Sequence, residues 1–107
     1  MSQTLERVQV LARRGELRIS LHGYEELASD DIPVRDAVTG LQDALVIEDY
    51  PNYPKGPCVL VLQHDAMGQP IHVVWGIPRG KDTPAVLVTS YRPDPPKWGK
   101  TWQTRRK

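Results

Sequence analysis

Residues 33–49, PVRDAVTGLQDALVIED, decide the fold. Up to Leu41 the apolar residues keep helical spacing: Val34, Ala37, Val38 and Leu41 stand at i, i+3, i+4 and i+7. Pro33 suits a first helical turn, where a missing N–H costs no hydrogen bond. From Ala44 the pattern changes, and Ala44 to Asp49 is rich in the branched residues that favour a pleated surface. Helices are therefore expected on the N-terminal side of this stretch and strands on the other.

Upstream, Leu5, Val8, Leu11 and Ala12 recur at helical spacing after a candidate cap, Thr4, and Gly15 is a natural stop, which predicts a helix over 4–14. Ser20 can cap a second helix in which Leu21, Tyr24, Leu27 and Ala28 share a face, broken by Ser29, Asp30 and Asp31. The third runs from Pro33 to about Gln42. Downstream, residues 44–49, 58–64, 71–77 and 85–91 read as strands, separated by segments rich in Gly and Pro. The last two connections are too short for a parallel crossover, so antiparallel pairing is expected. The predicted architecture is α+β: three N-terminal helices on one face of a roughly four-stranded antiparallel sheet, forming one domain over 1–94. Residues 95–107 form a separate basic, Trp-containing tail.

The 107-residue length fits one core, and 39% hydrophobic with 25% charged residues excludes a chain too polar to fold. The longest apolar run, Cys58 to Leu62, is five residues, against the roughly 20 of a membrane span. The first fifteen residues carry Glu6, Arg7, Arg13 and Arg14 without a signal-peptide core, so a cytoplasmic location is expected. A single cysteine, Cys58, supports neither an internal disulfide nor a structural zinc site by itself, and reads as buried and inert.

No glycine-rich phosphate loop and no nucleophile elbow is present, which disfavours nucleotide-cofactor enzymes and serine hydrolases. His22, His64 and His72 are the only imidazoles, and none pair at the helical spacing of a zinc site, so neither metal nor cofactor is expected. Imidazole can still move protons near neutral pH. The plain alternative is a structural role: His22 bonding a backbone carbonyl, His72 a polar residue on the less buried sheet face, His64 a surface residue beside a turn. Strict alternation puts Leu87, Thr89 and Tyr91 on one side of the last strand and Val88, Ser90 and Arg92 on the other. A twist or bulge before Pro93 would bring Tyr91 and Arg92 to one groove mouth, where a phenol stacks on a base and a guanidinium steadies negative charge.

Charge is uneven. Residues 92–107 sum to +5, while residues 1–91 sum to −4. In that tail Trp98 and Trp102 interleave with Lys97, Lys100, Arg105 and Arg106, a combination that can stack on bases and follow phosphates. The same tryptophans can instead fold back onto the sheet or bury in a partner.

Four segments carry a family resemblance: HGYEELASDDIPVRDAV at 22–38, LVIEDYP at 45–51, GQPIHVVWGI at 68–77 and VLVTSYRPD at 86–94. Their order resembles a bacterial family of small domains of unknown function, DUF4258. That resemblance implies a compact α+β domain similar to the RelE/ParE superfamily of toxin-like proteins, many of which cleave messenger RNA. Carried over by position, His22, His72 and Tyr91 match the family's recurrent polar positions. The family's "H-A-x-x-R" arrangement is absent here, because Gly23 and Glu26 stand in those places and Glu26 would repel phosphate.

Two functions are expected from these readings. One is a metal-independent RNA endonuclease or RNA-binding protein, with a cognate antitoxin as a further partner. In it His72 and His22 are acid or base candidates, Tyr91 orients a base and Arg92 stabilises charge, while Lys97, Trp98, Lys100, Trp102, Arg105 and Arg106 hold the strand. The alternative is a non-catalytic protein-interaction or dimerisation module built on the sheet surface and the apolar tail.

Overall fold

The computed structural model describes residues 2–93. The tail residues Lys97, Trp98, Lys100, Trp102, Arg105 and Arg106 lie outside the described residues. Helix α1 (Gln3–Arg13) is capped by Ser2, whose Oγ accepts the Leu5 N–H at 3.0 Å, rather than by Thr4, which is buried. A short strand β1 (Leu17–Ile19) follows, then α2 (Leu21–Ser29), capped as expected by Ser20 Oγ on the Gly23 N–H at 2.9 Å. Helix α3 (Val34–Thr39) is shorter than its apolar spacing suggests, because the chain tightens into a 3₁₀ turn over Gly40–Asp43 that still buries Leu41. Strands β2 (Leu45–Tyr50), β3 (Cys58–His64), β4 (Pro70–Gly76) and β5 (Ala85–Tyr91) follow.

Among the described residues the sheet has five strands in the order β1-β5-β4-β3-β2, and it is mixed rather than wholly antiparallel. Strands β2 to β5 form the expected antiparallel meander, but β1 pairs parallel to β5, with Leu17 opposite Ala85 and Ile19 opposite Leu87. The three residues of β1 are too few to show a period, so the fifth strand had no sequence signal of its own. The long connection that parallel pairing needs is supplied by everything between β1 and β5.

Register assigns the two faces. Toward the helices point Val61 and Val73, then Val59, Trp75 and Leu87, which join Leu5, Val8, Leu11, Leu27, Ala37 and Leu41 in one buried cluster. On the opposite face three rows run across the sheet: Leu45, Leu62, His72 and Tyr91; Glu48, Leu60, Val74 and Thr89; Tyr50, Cys58, Gly76 and Val86. Two bulges make these rows possible. In β2 the register shifts at Ile47, and in β5 Val88 is an extra residue opposite the Val74–Trp75 step.

The second bulge corrects the alternation expected for the last strand. Leu87 now shares the helix-side face with buried Ser90, whose hydroxyl donates to the His72 carbonyl at 2.9 Å, while Tyr91 falls on the opposite face beside His72. The α2 face also differs from expectation: Leu21 and Tyr24 are exposed, and Gly23 and Leu27 are buried. Helix α2 lies so close to β5 that a Cβ at Gly23 would stand 2.8 Å from the Leu87 carbonyl oxygen. Backbone proximity, not side-chain hydrophobicity, selects that face.

Candidate functional site

Of the four residues expected to carry chemistry, the fold joins two. His72 Nδ1 lies 3.3 Å from the Tyr91 hydroxyl, and the rings meet edge to face with centroids 5.3 Å apart. The contact follows from register, since His72 and Tyr91 are opposed on β4 and β5. His72 is fully buried rather than a polar residue on a half-wet face. A phenol and an imidazole at this distance can exchange a proton, but an imidazole without solvent exposure does not meet a phosphodiester in this arrangement.

Arg92 is directed elsewhere. Its backbone N–H donates to Asp30 Oδ2 at 2.9 Å, its Nε donates to the Asp30 carbonyl at 3.2 Å, and one terminal nitrogen pairs with Asp65 Oδ2 at 3.0 Å. It thus ties the end of α2 and the end of β5 to the β3–β4 hairpin. His22 sits on the first turn of α2, largely exposed, with Glu26 at 3.6 Å. Among the described residues it contacts neither His72 nor Tyr91. The HGYEE stretch therefore sets a carboxylate beside the imidazole.

Asp65 organises the hairpin under Arg92. Its Oδ1 accepts the N–H groups of Met67 and Gln69, both at 2.9 Å, and Asp36 of α3 holds the Ala66 N–H at 3.0 Å. Burial by itself would raise the Asp65 pKa; hydrogen bonds from Gln69, Arg92 and Met67 and the Arg92 charge outweigh it and hold the carboxyl below its ordinary value. A folded-state pKa below the unfolded one stabilises the fold above the ordinary carboxylate range and loses that stabilisation as pH falls through the folded value. Asp65→Asn is expected to lower the urea midpoint at pH 6 and to flatten its fall between about pH 4 and pH 2. A variant whose acid profile parallels the wild type would reject this role for Asp65.

Cys58 was expected to be buried and inert, yet it is half-buried and lines a groove of about 540 Å³ on the helix-free face. Burial first, and then the neighbouring Asp49 carboxylate, raises its thiol pKa. The groove occupies the third row of the sheet and the Val88 bulge, with Tyr50, Tyr53, Val74, Val86 and Val88 among its lining residues. Sequence reasoning passed over it, although Tyr50 and Tyr53 in a Pro-rich segment before an apolar strand are a visible signal of exposed aromatics. Among the described residues no group of His, Cys, Asp and Glu could hold a metal ion, and no helix is long and apolar enough to cross a membrane.

No curated protein and no solved structure matches the chain. The family model of a domain of unknown function, DUF4258, matches residues 19–92, from the end of β1 through Arg92, and so takes in the parallel strand's last residue, the His72–Tyr91 pair and the Arg92 clamp. On that match the chain belongs to the DUF4258 family.

Proposed function

We propose that this protein is a non-catalytic interaction module whose helix-free sheet face receives an apolar segment of another protein. The observation that carries this reading is the groove at Tyr50, Tyr53, Cys58, Val86 and Val88, with Tyr53 50% and Val88 39% exposed at its rim. Exposed aromatic and branched residues around a concave apolar surface suit anchor side chains, and tyrosine orders at small entropic cost. Among the described residues lining the groove Lys55 is the charged one, so the fitting segment carries apolar anchors flanked by a carboxylate.

Selection of displayed random peptides on the full chain tests it. Enriched peptides should pair aromatic or branched residues with Asp or Glu, and Val88→Asp should weaken them by at least about tenfold, or about 1.4 kcal/mol. Peptides indifferent to Val88→Asp would overturn the reading. So would a dimer in sedimentation that Val88→Asp dissociates, because a second copy would then own the groove.

The His72–Tyr91 contact favours a second reading, a metal-independent endoribonuclease or RNA-binding protein of the RelE/ParE type acting in the cytoplasm, with a cognate antitoxin as partner. It is supported less well, since Arg92 is committed to Asp30 and Asp65, and Glu48 shares the face that would meet phosphate. Cleavage of single-stranded RNA that persists in EDTA and disappears in His72→Ala would promote it over the first.

A further inference from the structure

Arg18 extends the third row of the helix-free face. In β1 it stands opposite Val86, while its neighbours Leu17 and Ile19 pack on the helix-side core, so alternation turns the Arg18 side chain to the groove face, where it is exposed. From β1 to β2 the row therefore runs Arg18, Val86, Gly76, Cys58, Tyr50. Its two ends differ in charge. At the β2 end Glu48 accepts the Tyr50 hydroxyl at 2.7 Å and exposed Asp49 adjoins Tyr50 in sequence, whereas the β1 end carries the guanidinium. Among the described residues no carboxylate forms an ion pair with Arg18.

Gly76 stands in the middle of that row. Its φ lies outside the left-handed region that Gly56 and Gly68 occupy, so backbone conformation does not call for glycine. A Cβ there would stand 3.2 Å from the Pro57 carbonyl oxygen, 3.3 Å from Cys58 Cβ and 3.6 Å from Val88 Cγ2, contacts far looser than the backbone collision at Gly56. Glycine weakens a strand interior and marks places where another chain comes close. Here it leaves the groove floor bare between Cys58 and Val88, which both line the groove.

We infer that the groove takes an extended segment of another protein that crosses the strands, with an aromatic ring seated over Gly76 and a carboxylate two or three residues away paired with Arg18. This rests on the reading of the groove as an interaction site and gives its occupant a direction. From Gly76 to Arg18 is two strand spacings, about 10 Å, which an extended chain covers in about three residues. A segment laid the other way would bring its carboxylate to Glu48 and Asp49 and be repelled.

Synthetic octapeptides titrated into the isotope-labelled full-length protein, with binding read from backbone amide shifts, test it. Each has Trp at its third position in a Gly/Ser scaffold, with one Asp moved from the fourth position to the eighth. Asp two or three residues from Trp should bind about fivefold tighter than Asp five residues away. Arg18→Glu, at an exposed site, should abolish that preference and pass it to peptides with Lys in place of Asp. Gly76→Ala raises the groove floor and should weaken the same peptides by about fivefold; unchanged affinity would reject the seat of the ring. Binding that Val88→Asp removes but Arg18→Glu leaves alone would overturn this inference and keep the groove as an interaction site, as would affinity lost in Lys55→Glu alone. Peptides that shift neither Val86 nor Val88 would overturn both readings. A dimer that Arg18→Glu dissociates would overturn it by giving the groove to a second copy, and Overhauser contacts to the Val86 and Val88 methyls from beyond residue 93 would overturn it by giving the groove to the chain itself.

Discussion

Gly56→Ala is expected to lower the unfolding free energy by about 3–5 kcal/mol, a large part of the roughly 5–15 kcal/mol typical of a domain. Gly56 lies in the loop between β2 and β3 with φ +123°, a conformation that side chains rarely adopt. A Cβ there would stand 2.1 Å from the Ile77 carbonyl oxygen and 2.7 Å from the Arg79 nitrogen. Both obstacles are backbone, and both are fixed, because the Ile77 N–H donates to the Pro57 carbonyl and the Arg79 N–H to the Lys55 carbonyl. Relief therefore requires separating two loops that border the groove. Gly68→Ala supplies the control: φ there is +79°, but nothing lies within 4 Å of its Cβ, so only local strain of about 1–2 kcal/mol is expected. Urea unfolding of the two variants should rank them clearly, and equal losses would show that the close approach at Gly56 is not what the fold depends on.

The second large effect is expected at Gln63→Leu. Gln63 lies in the helix-side face of β3, 1% exposed, where its Nε2 donates to the Ala37 carbonyl of α3 at 2.7 Å and its Oε1 accepts the Trp75 indole N–H at 2.8 Å. Leucine fills similar space but strands the indole N–H and leaves the Ala37 carbonyl one partner short, at a cost of about 2–4 kcal/mol. Adding Trp75→Phe removes the stranded donor. The double variant should therefore be more stable than the sum of the two single losses predicts, by about 1 kcal/mol or more. Strict additivity in a urea-unfolding cycle would mean that the amide and the indole are neighbours without an energetic link.

Much of this architecture could be read before the structure. Strands over 58–64 and 85–91 and the Ser20 cap were legible because each depends on residues close in sequence. Features that depend on distant partners were not. Leu17–Ile19 becomes a strand only because Ala85–Leu87 lies alongside, and the exposed Tyr24 face of α2 follows from the fit of Gly23 against Leu87. The extra residue at Val88 is invisible to alternation, which is why Leu87 and Tyr91 were expected on one side. For the site, His72 and Tyr91 were named as separate candidates beside His22 and Arg92, but their contact, the burial of the imidazole and the engagement of Arg92 by Asp30 and Asp65 depend on sequence separations of up to 62 residues. Gln63 did leave a trace: a lone amide standing in the same alternating series as Val59 and Val61.

The parallel pairing of Leu17–Ile19 with Ala85–Leu87 has a consequence for how the protein is made. A ribosome adds about 5–20 residues per second, so roughly 3–14 s pass between synthesis of Leu17 and synthesis of its partner Ala85. Throughout that interval the nascent chain holds Leu17 and Ile19 without the strand that receives them, and Gly23 without the Leu87 backbone against which α2 packs. Closure of the sheet waits until Ala85–Leu87 has emerged. Translation stalled before residue 85 should leave a product that proteases cut readily near residues 17–30, while release beyond residue 93 protects the same segment.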